Sequence, residues 1–391
     1  MRLKKTSVLF TDGNWIESKD QSTNEIRLLQ TGNIGKGIFL DKSDRAKYIS
    51  EETFKRLKCT EVLPGDLIIS RLPDPIGRAC IVPNSGQKMI TAVDCTIYRI
   101  NPELVSKEYA NYFLMSNLYF HQITNNVKGT TRKRISRKNL ENIEFPITNK
   151  STQNNIVEKL NLVRRLIDIY SKELTKLDKL IKARFVELFG DLTTNNRGWK
   201  TENFSCVFEN ITSSKRILKS EWKSNGIPFL RVRDLVQLSE KEVLNNEFFI
   251  SSELYSRLSD NDGVPKNGDI LVSATSTLGK CHIVNSNEKL YFKDADVLRF
   301  RPSNKINAVY FTECMNDHFI QGQIEHNLGV TTVKHFTIKA AKSILIRIPP
   351  LSLQNEFANF VQQVDKSKVA VQKSLNETQI LFDSLMQKYF G

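Results

Sequence analysis

PGDLIIS at residues 64–70 returns as NGDILVS at 267–273, and an interval near 201 residues keeps recurring along the chain. KYISEETFKRL (47–57) meets FFISSELYSRL (248–258), and IGRACIV (76–82) meets LGKCHIV (278–284). Later, IEFPI (143–147) meets IRIPP (346–350), and QNNIVEKL (153–160) meets QNEFANFV (354–361). Chance could supply one such match but not all of them in order, so the 391-residue chain is an internal duplication. Each half follows one plan: a β-rich region with glycine turns at Gly65 and Gly268, then a long stretch free of Gly and Pro.

That stretch predicts a helix. From Ile156, apolar residues fall alternately four and three apart at Leu160, Val163, Ile167, Tyr170, Leu174, Leu177 and Ile181, with Leu188 resuming after a break at Arg184. This is a heptad seam of period about 3.5. The second copy carries Phe357, Val361, Val364, Val371, Leu375, Phe382, Leu385 and Tyr389, interrupted by Lys368 and Thr378. Pro146 and Pro349-Pro350 stand before the two segments, and Gly190 and Gly391 stand where a left-handed cap would close them. A helix this long, roughly 58 Å at ~1.5 Å per residue, needs a partner helix. The expected fold class is α+β: two repeated β-rich domains, 1–150 and 191–350, with helices at 151–190 and 351–391 paired antiparallel and one domain at each end. The competing arrangement has each helix packed on its own domain.

A net charge of +14 and a pI near 9.4 make a polyanion the first partner to consider. Residues 1–150 hold 24 basic against 16 acidic side chains, so most of the excess lies there. No apolar run approaches the ~18 residues that span a bilayer, and Met1 to Lys5 leads into no signal core, so the expected location is the cytoplasm. The six cysteines show no metal-ligand spacing and are expected to be reduced and buried.

The charge concentrates in KGTTRKRISRK at 128–138. Lys128, Arg132, Lys133, Arg134, Arg137 and Lys138 offer donors to phosphate and guanine edges, and Thr130 and Thr131 offer hydroxyls. The second copy, GVTTVKHFTIK (329–339), holds Thr331, Thr332, Lys334 and His335 with diluted charge. A second loop pair follows the glycine-turn strands: SRLPDPIGRA (70–79) with Arg71 and Arg78, and SATSTLGKC (273–281) with Ser273, Thr275, Ser276 and Lys280. The frames match while the tips differ, as expected of one scaffold reading different bases. Gly77 and Gly279 fit turns better than contacts, and Gln30, Asn33, Arg231 and Arg233 are weaker candidates for base or phosphate contact.

Catalytic signatures are missing. There is no GxxxxGK[ST] phosphate loop, no NPPY or FxGxG methyltransferase motif, no HExxH and no PD to ExK constellation. The five histidines do not cluster in sequence, and Asp66 and Asp269, each after a glycine, fit turn positions. No catalytic or metal-ligating residue is expected on this chain.

DGNWIES (12–18), QTGNIGKGIF (30–39), SRLPDPIGRACIVP (70–83), TAVDCTIYRI (91–100) and GTTRKRIS (129–136), set in a duplicated architecture, resemble the specificity subunit of type I restriction-modification enzymes. The resemblance covers nearly the whole chain. It implies two target recognition domains at opposite ends of an antiparallel coiled coil, each reading one half of a bipartite, asymmetric site in double-stranded DNA. It further implies that the helices fix the spacing and dock two modification subunits, which restriction subunits join to cut unmethylated DNA. S-adenosylmethionine, ATP and Mg are then expected on those partners and no cofactor on this chain. A rod of at most ~58 Å bounds the half-site centres to about 17 base pairs. One departure is that DGNWIES has no clear counterpart near 200–225. The alternatives are an orphan bipartite DNA-binding protein, a fused nuclease or methyltransferase with diverged motifs, and an RNA-binding scaffold, which would want aromatic stacking faces absent here.

Overall fold

Leu67–Ser70 and Ile270–Ser273, the strands after the two glycine turns, are buried at every residue and occupy the same place in two antiparallel four-stranded sheets. A computed structural model describes this and the rest of the chain except residues 74, 130–132, 241–243, 245, 261, 287 and 329–334. The first sheet runs Ser7–Asp12, Cys95–Ile100, Leu67–Ser70, Ala79–Ile81; the second runs Phe208–Ser213, Val297–Pro302, Ile270–Ser273, Cys281–Ile283. Even the register repeats: Leu67 faces Tyr98 and Ile81, and Ile270 faces Phe300 and Ile283. Aliphatic and β-branched side chains on both faces suit a strand covered on both sides. Ser7–Asp12 therefore has a structural counterpart in Phe208–Ser213, each with a bulge near its start, although their sequences had diverged beyond recognition.

A smaller sheet flanks each of these. Ile26–Leu29 pairs antiparallel with Lys47–Ile49 and parallel with Met89–Thr91; Ile227–Leu230 repeats this with Phe249–Ile250 and Tyr291–Phe292. The duplication also explains Asp66 and Asp269. Each carboxylate accepts the backbone N–H three residues earlier, from Leu63 and Lys266, and binds an arginine bidentately, Arg99 and Arg301, at 2.8–2.9 Å. They are turn and clamp residues. Gly65 and Gly268 sit at φ +92° and +84°, where a side chain would be strained.

Two compact units form, Met1–Lys172 with Gln372–Gly391, and Glu173–Val371. The boundary cuts both long helices, Lys150–Phe189 and Leu351–Phe390, so neither is a module of its own. In the first unit, Ile156, Leu160 and Val163 from the start of one helix share a core with Phe382, Met386 and Phe390 from the end of the other. Phe113 and Phe145 stack there at 4.4 Å, and Tyr109 lies 5.0 Å from Phe390. In the second unit, Phe357, Val361 and Val364 meet Ile181, Phe185 and Phe189, and Tyr310 stands 4.6 Å from Phe189. Start against end in both units makes the pairing antiparallel, and each domain also packs on both helices.

The seam residues between, Ile167, Leu174, Leu177, Val371 and Leu375, are half-buried, and Leu385 likewise. A two-helix seam covers only one side of each knob. Phe185, Phe189, Met386 and Phe390 share the terminal packing with the seam residues at the helix ends, and the heptad count missed them because they are spaced by four. The breaks have specific partners: Arg184 pairs with Glu356 at 2.6 Å, and Lys368 pairs with Asp178 at 2.5 Å. Thr378 returns its hydroxyl to the Ser374 carbonyl at 2.6 Å. Gly190, at φ +73°, donates to the Val186 carbonyl and caps the first long helix as expected.

All six cysteines are free; five are buried, but Cys206 is exposed, against expectation, on the short helix Phe204–Val207. Among the described residues no helix is long and apolar enough to cross a membrane.

Asp262 gives this fold a pH signature. Arg301 and then Lys266 hold its carboxyl down to about 2, from an ordinary 3.8. A depressed carboxylate contributes stability that is present above its unfolded pKa and lost as pH falls through its folded one. The second unit is therefore expected to weaken between pH 4 and pH 2, and Asp262→Asn to flatten that part of the profile. Denaturant midpoints measured across this pH range check it.

Candidate nucleic-acid interface

The two loops singled out in each half are joined by their main chains. In the first unit the Ile135 N–H donates to the Arg71 carbonyl at 3.3 Å; in the second, the Phe336 N–H donates to Ala274 at 2.8 Å. The strand-end loops also lean on the turn before the last strand, in sequence, of each four-stranded sheet, where Arg71 N–H donates to the Asp94 carbonyl and Ala274 N–H to that of Asp296. Residues 60 or more apart in sequence thus make one surface per unit.

The loop frames explain themselves locally. Ser70 donates its hydroxyl to the Leu72 carbonyl at 2.5 Å, and Ser273 donates to that of Thr277. Gly77 and Gly279 donate to the carbonyls of Ser70 and Ser273 at 2.8 and 2.9 Å. Both glycines have positive φ, +88° and +76°, and a Cβ on Gly77 would meet Ile123 at 2.9 Å. They are turn residues. Lys128 and Arg134 exchange two backbone hydrogen bonds at 3.0 Å and close the base of the basic loop. Ser136 and Thr337 then cap the short helices Arg137–Glu141 and Ile338–Ser343, fixing where each loop must end.

Of the first-unit candidates, Lys128, Lys133, Arg134, Arg137 and Lys138 are exposed on this surface. Arg134 lies 3.3 Å from Asp94 and Arg137 3.4 Å from Glu141, loose pairs that water or phosphate can replace. Arg78 is half-exposed and holds the Pro75 carbonyl. Arg71 is different, and its expected outward role is corrected by its burial. Its side chain is 5% exposed, pairs with Asp12 at 3.2 Å and donates to the Val93 carbonyl at 2.5 Å. Burial lowers its pKa, with Asp12 opposing. Thr130, Thr131 and Arg132 lie outside the described residues, as do Thr331, Thr332 and Lys334 in the second unit.

The second surface carries less charge. Ser273 is buried and serves the turn, whereas Thr275 and Lys280 are half-exposed and Ser276 is exposed. Lys280 lies 3.7 Å from Glu240. His335 bridges to Thr275 and donates its Nε2 hydrogen to the Ala295 carbonyl at 2.6 Å. Arg231 lies elsewhere, at the start of the helix Val232–Ser239; Asp234 and Glu247 hold it, and its guanidinium covers Phe248 at 4.3 Å. Asn33, its analogue's capping partner, accepts from Gln30 N–H and is buried. Both are helix-start fixtures.

Two kinds of residue at this surface carry no signal in the sequence. Lys36, 5.0 Å from the Phe120 ring, belongs to a segment tied to the loop's exit by the Gly37 N–H bond to the Ala79 carbonyl at 2.8 Å. A cavity of ≈ 380 Å³ lined by Pro75, Ile76, Phe120, Val127, Gly129 and Lys133 adjoins it. Asp12 and Asp94 orient cations across long sequence distances, which no local motif signals. As chemistry, the described residues of the surface offer cationic donors and hydroxyls on a main-chain-bonded frame. Burial pushes the Cys80 and Cys95 thiols up to about 12, leaving them protonated.

A family model for the type I restriction modification DNA specificity domain matches residues 13–179 and again 196–378. The StySPI specificity subunit of a type I restriction enzyme from Salmonella potsdam is 23% identical over 94% of this chain and 82% of its own. The MjaIX specificity subunit from Methanocaldococcus jannaschii is 21% identical over 96% of this chain and 85% of its own. Among solved structures, a chain from a study of assembly and conformational transition in the type I R-M system superposes with a TM-score of 0.60 at 18% identity. It covers 100% of this chain and 96% of its own. The type I S subunit from M. genitalium gives 0.59 at 15% identity, covering 100% and 95%.

Proposed function

This chain belongs to the type I restriction modification DNA specificity family, with the domain present twice, and from that premise we propose that it is the non-catalytic DNA-reading subunit of a restriction-modification complex. Each unit reads one half of a split, asymmetric site in double-stranded DNA. The observation that carries this is the pair of joined loops: one frame, built by the same main-chain bonds, tipped with different side chains. Identical tips would favour a symmetric site; RLPDPIGR and SATSTLG tips do not.

The long helices carry the docking role. Leu162, Ile169, Leu180, Val186, Val369, Ile380 and Leu381 are exposed on them, away from the seams. Modification subunits cover such apolar positions, and S-adenosylmethionine, ATP and Mg belong to the modification and restriction partners in the cytoplasm.

Single-molecule methylation sequencing of DNA from the source cells, with and without this gene, is the test. A split, asymmetric motif that loses methylation with the gene supports the proposal; unchanged methylation everywhere refutes it. A narrower expectation concerns Arg134→Ala. It should weaken use of one half-site by about 1–3 kcal/mol and relax one base if Arg134 reads guanine. Should it hold a phosphate, the loss is uniform across sequences and the salt slope falls by about 1. Affinity measured against salt, on matched and one-base-changed duplexes, separates these.

A further inference from the structure

The turns that support the two reading surfaces align in number, although Ala295 alone of the matched pair Val93 and Ala295 has a positive φ, +59°. Leu67 faces Tyr98 where Ile270 faces Phe300, and Arg71 N–H meets the Asp94 carbonyl where Ala274 N–H meets that of Asp296. Val93 and Ala295 are therefore the same position. Both carbonyls are gripped by a nitrogen donor, but from different loops. In the first unit the donor is the Arg71 guanidinium, on the strand-end loop, at 2.5 Å. In the second, that place is Ala274, which has no side chain to reach the turn, and His335 on the other loop donates at 2.6 Å. The position matching His335 in the first unit is Arg134, because Ile135 and Phe336 make the equivalent bonds; Arg134 is exposed and only loosely paired with Asp94.

We infer that Arg71 and His335 are positioning residues for base recognition, one in each unit, each bracing its loops against the neighbouring turn so that the exposed donors stand in register with base edges. The inference rests on the proposed DNA-reading function. Two physical points carry it. A guanidinium taken out of water costs more than an apolar side chain of similar size, so a buried arginine in a surface loop is explained by what it holds. Asp12, itself bonded by the Thr96 hydroxyl at 2.7 Å, neutralises it, and Arg71's own carbonyl anchors the basic loop through Ile135. Discrimination between bases also needs donors fixed to within about 0.5 Å, which loops reach only when braced. Swapping the brace between loops leaves position 134 free to face DNA in the first unit and commits position 335 in the second.

The test exchanges the gene in the source cells for single variants and reads methylation at matched sites and at sites one base away in either half. Arg71→Ala is expected to lower discrimination about tenfold in one half of the motif and leave the other intact. His335→Ala is expected to do the same to the other half. Arg71→Lys and His335→Gln, which keep a donor, should restore much of each. A merely structural role would instead lower methylation at every site without relaxing either half. That result, or equal relaxation of both halves, or no change in either variant, overturns the inference. Absence of any split motif with the unaltered gene would overturn the DNA-reading function itself, and so can be told apart.

Discussion

Replacing Asp269 by alanine is expected to destabilise the second unit by about 3–5 kcal/mol, the range for removing one partner of a buried ion pair. Asp269 is 2% exposed and binds Arg301 through both oxygens at 2.9 Å, with the Arg299 Nε at 3.9 Å. Without it, two guanidiniums face each other with only Asp262 between them, and Arg299 is too buried to rehydrate. The Lys266 N–H loses its acceptor as well, so the Asn267-Gly268 turn loosens. Asp66→Ala removes the same clamp from the first unit but should cost less. Arg99 keeps 28% of its side chain in water, and the place of Arg299 is taken there by the apolar Ile97. Denaturation followed by tryptophan fluorescence and by amide hydrogen exchange can compare them. Trp222, packed 4.6 Å from Phe248, and Trp199 report the second unit, and amide hydrogen exchange reads the first, where Trp15 is already exposed. Equal shifts for the two variants would contradict the argument from burial.

Gln153→Ala and Gln354→Ala are each expected to cost about 2–4 kcal/mol, since each removes a fully buried side chain that satisfies one N–H and two carbonyls. Gln153, fully buried, accepts from Ser106 N–H at 3.0 Å and donates to the carbonyls of Leu104 and Thr148 at 2.9 and 2.8 Å. Gln354 repeats this with Asn307 N–H and the carbonyls of Lys305 and Pro349 at 2.8, 3.1 and 2.9 Å. Each glutamine thus fastens the first turn of a long helix to its own β-rich domain. Amide hydrogen exchange should quicken in that turn and in the turn it holds, with the other unit unaffected. Protection unchanged at residues 104–106 in Gln153→Ala would mean that apolar packing alone holds the helix. The same fixture appears twice because the QNNIVEKL and QNEFANFV segments kept their first two residues.

Much of the fold could be read from the chain alone because its determinants are local or repeated. Heptad spacing, glycine turns and capping positions act over three to seven residues, so Lys150–Phe189 and Leu351–Phe390 lie within a residue of expectation. The repeat then placed equivalent strands in equivalent sheets. Sequence similarity had decayed at Ser7–Asp12 against Phe208–Ser213, whose pairing depends on backbone hydrogen bonds that many side chains permit. The helix ends were incomplete for a related reason. Phe185, Phe189, Met386 and Phe390 are buried by a domain as well as by a helix, and a two-helix period does not count them.

The interface divides along the same line. The sequence by itself determined that two loops in each half differ at their tips, that the first half holds the excess of cations, and that a family of DNA specificity domains is resembled. Only the tertiary structure decided which cations face outward. Arg71, Arg134 and Arg231 are alike in a string of letters; Asp12, Val93 and Asp94 are 22–59 residues from Arg71, and the Glu247 that helps hold Arg231 lies 16 residues further along the chain. A charge reaches DNA or turns inward according to which carboxylates and carbonyls the fold sets beside it. That competition, between hydration and specific partners, is settled by contacts the chain makes with distant parts of itself.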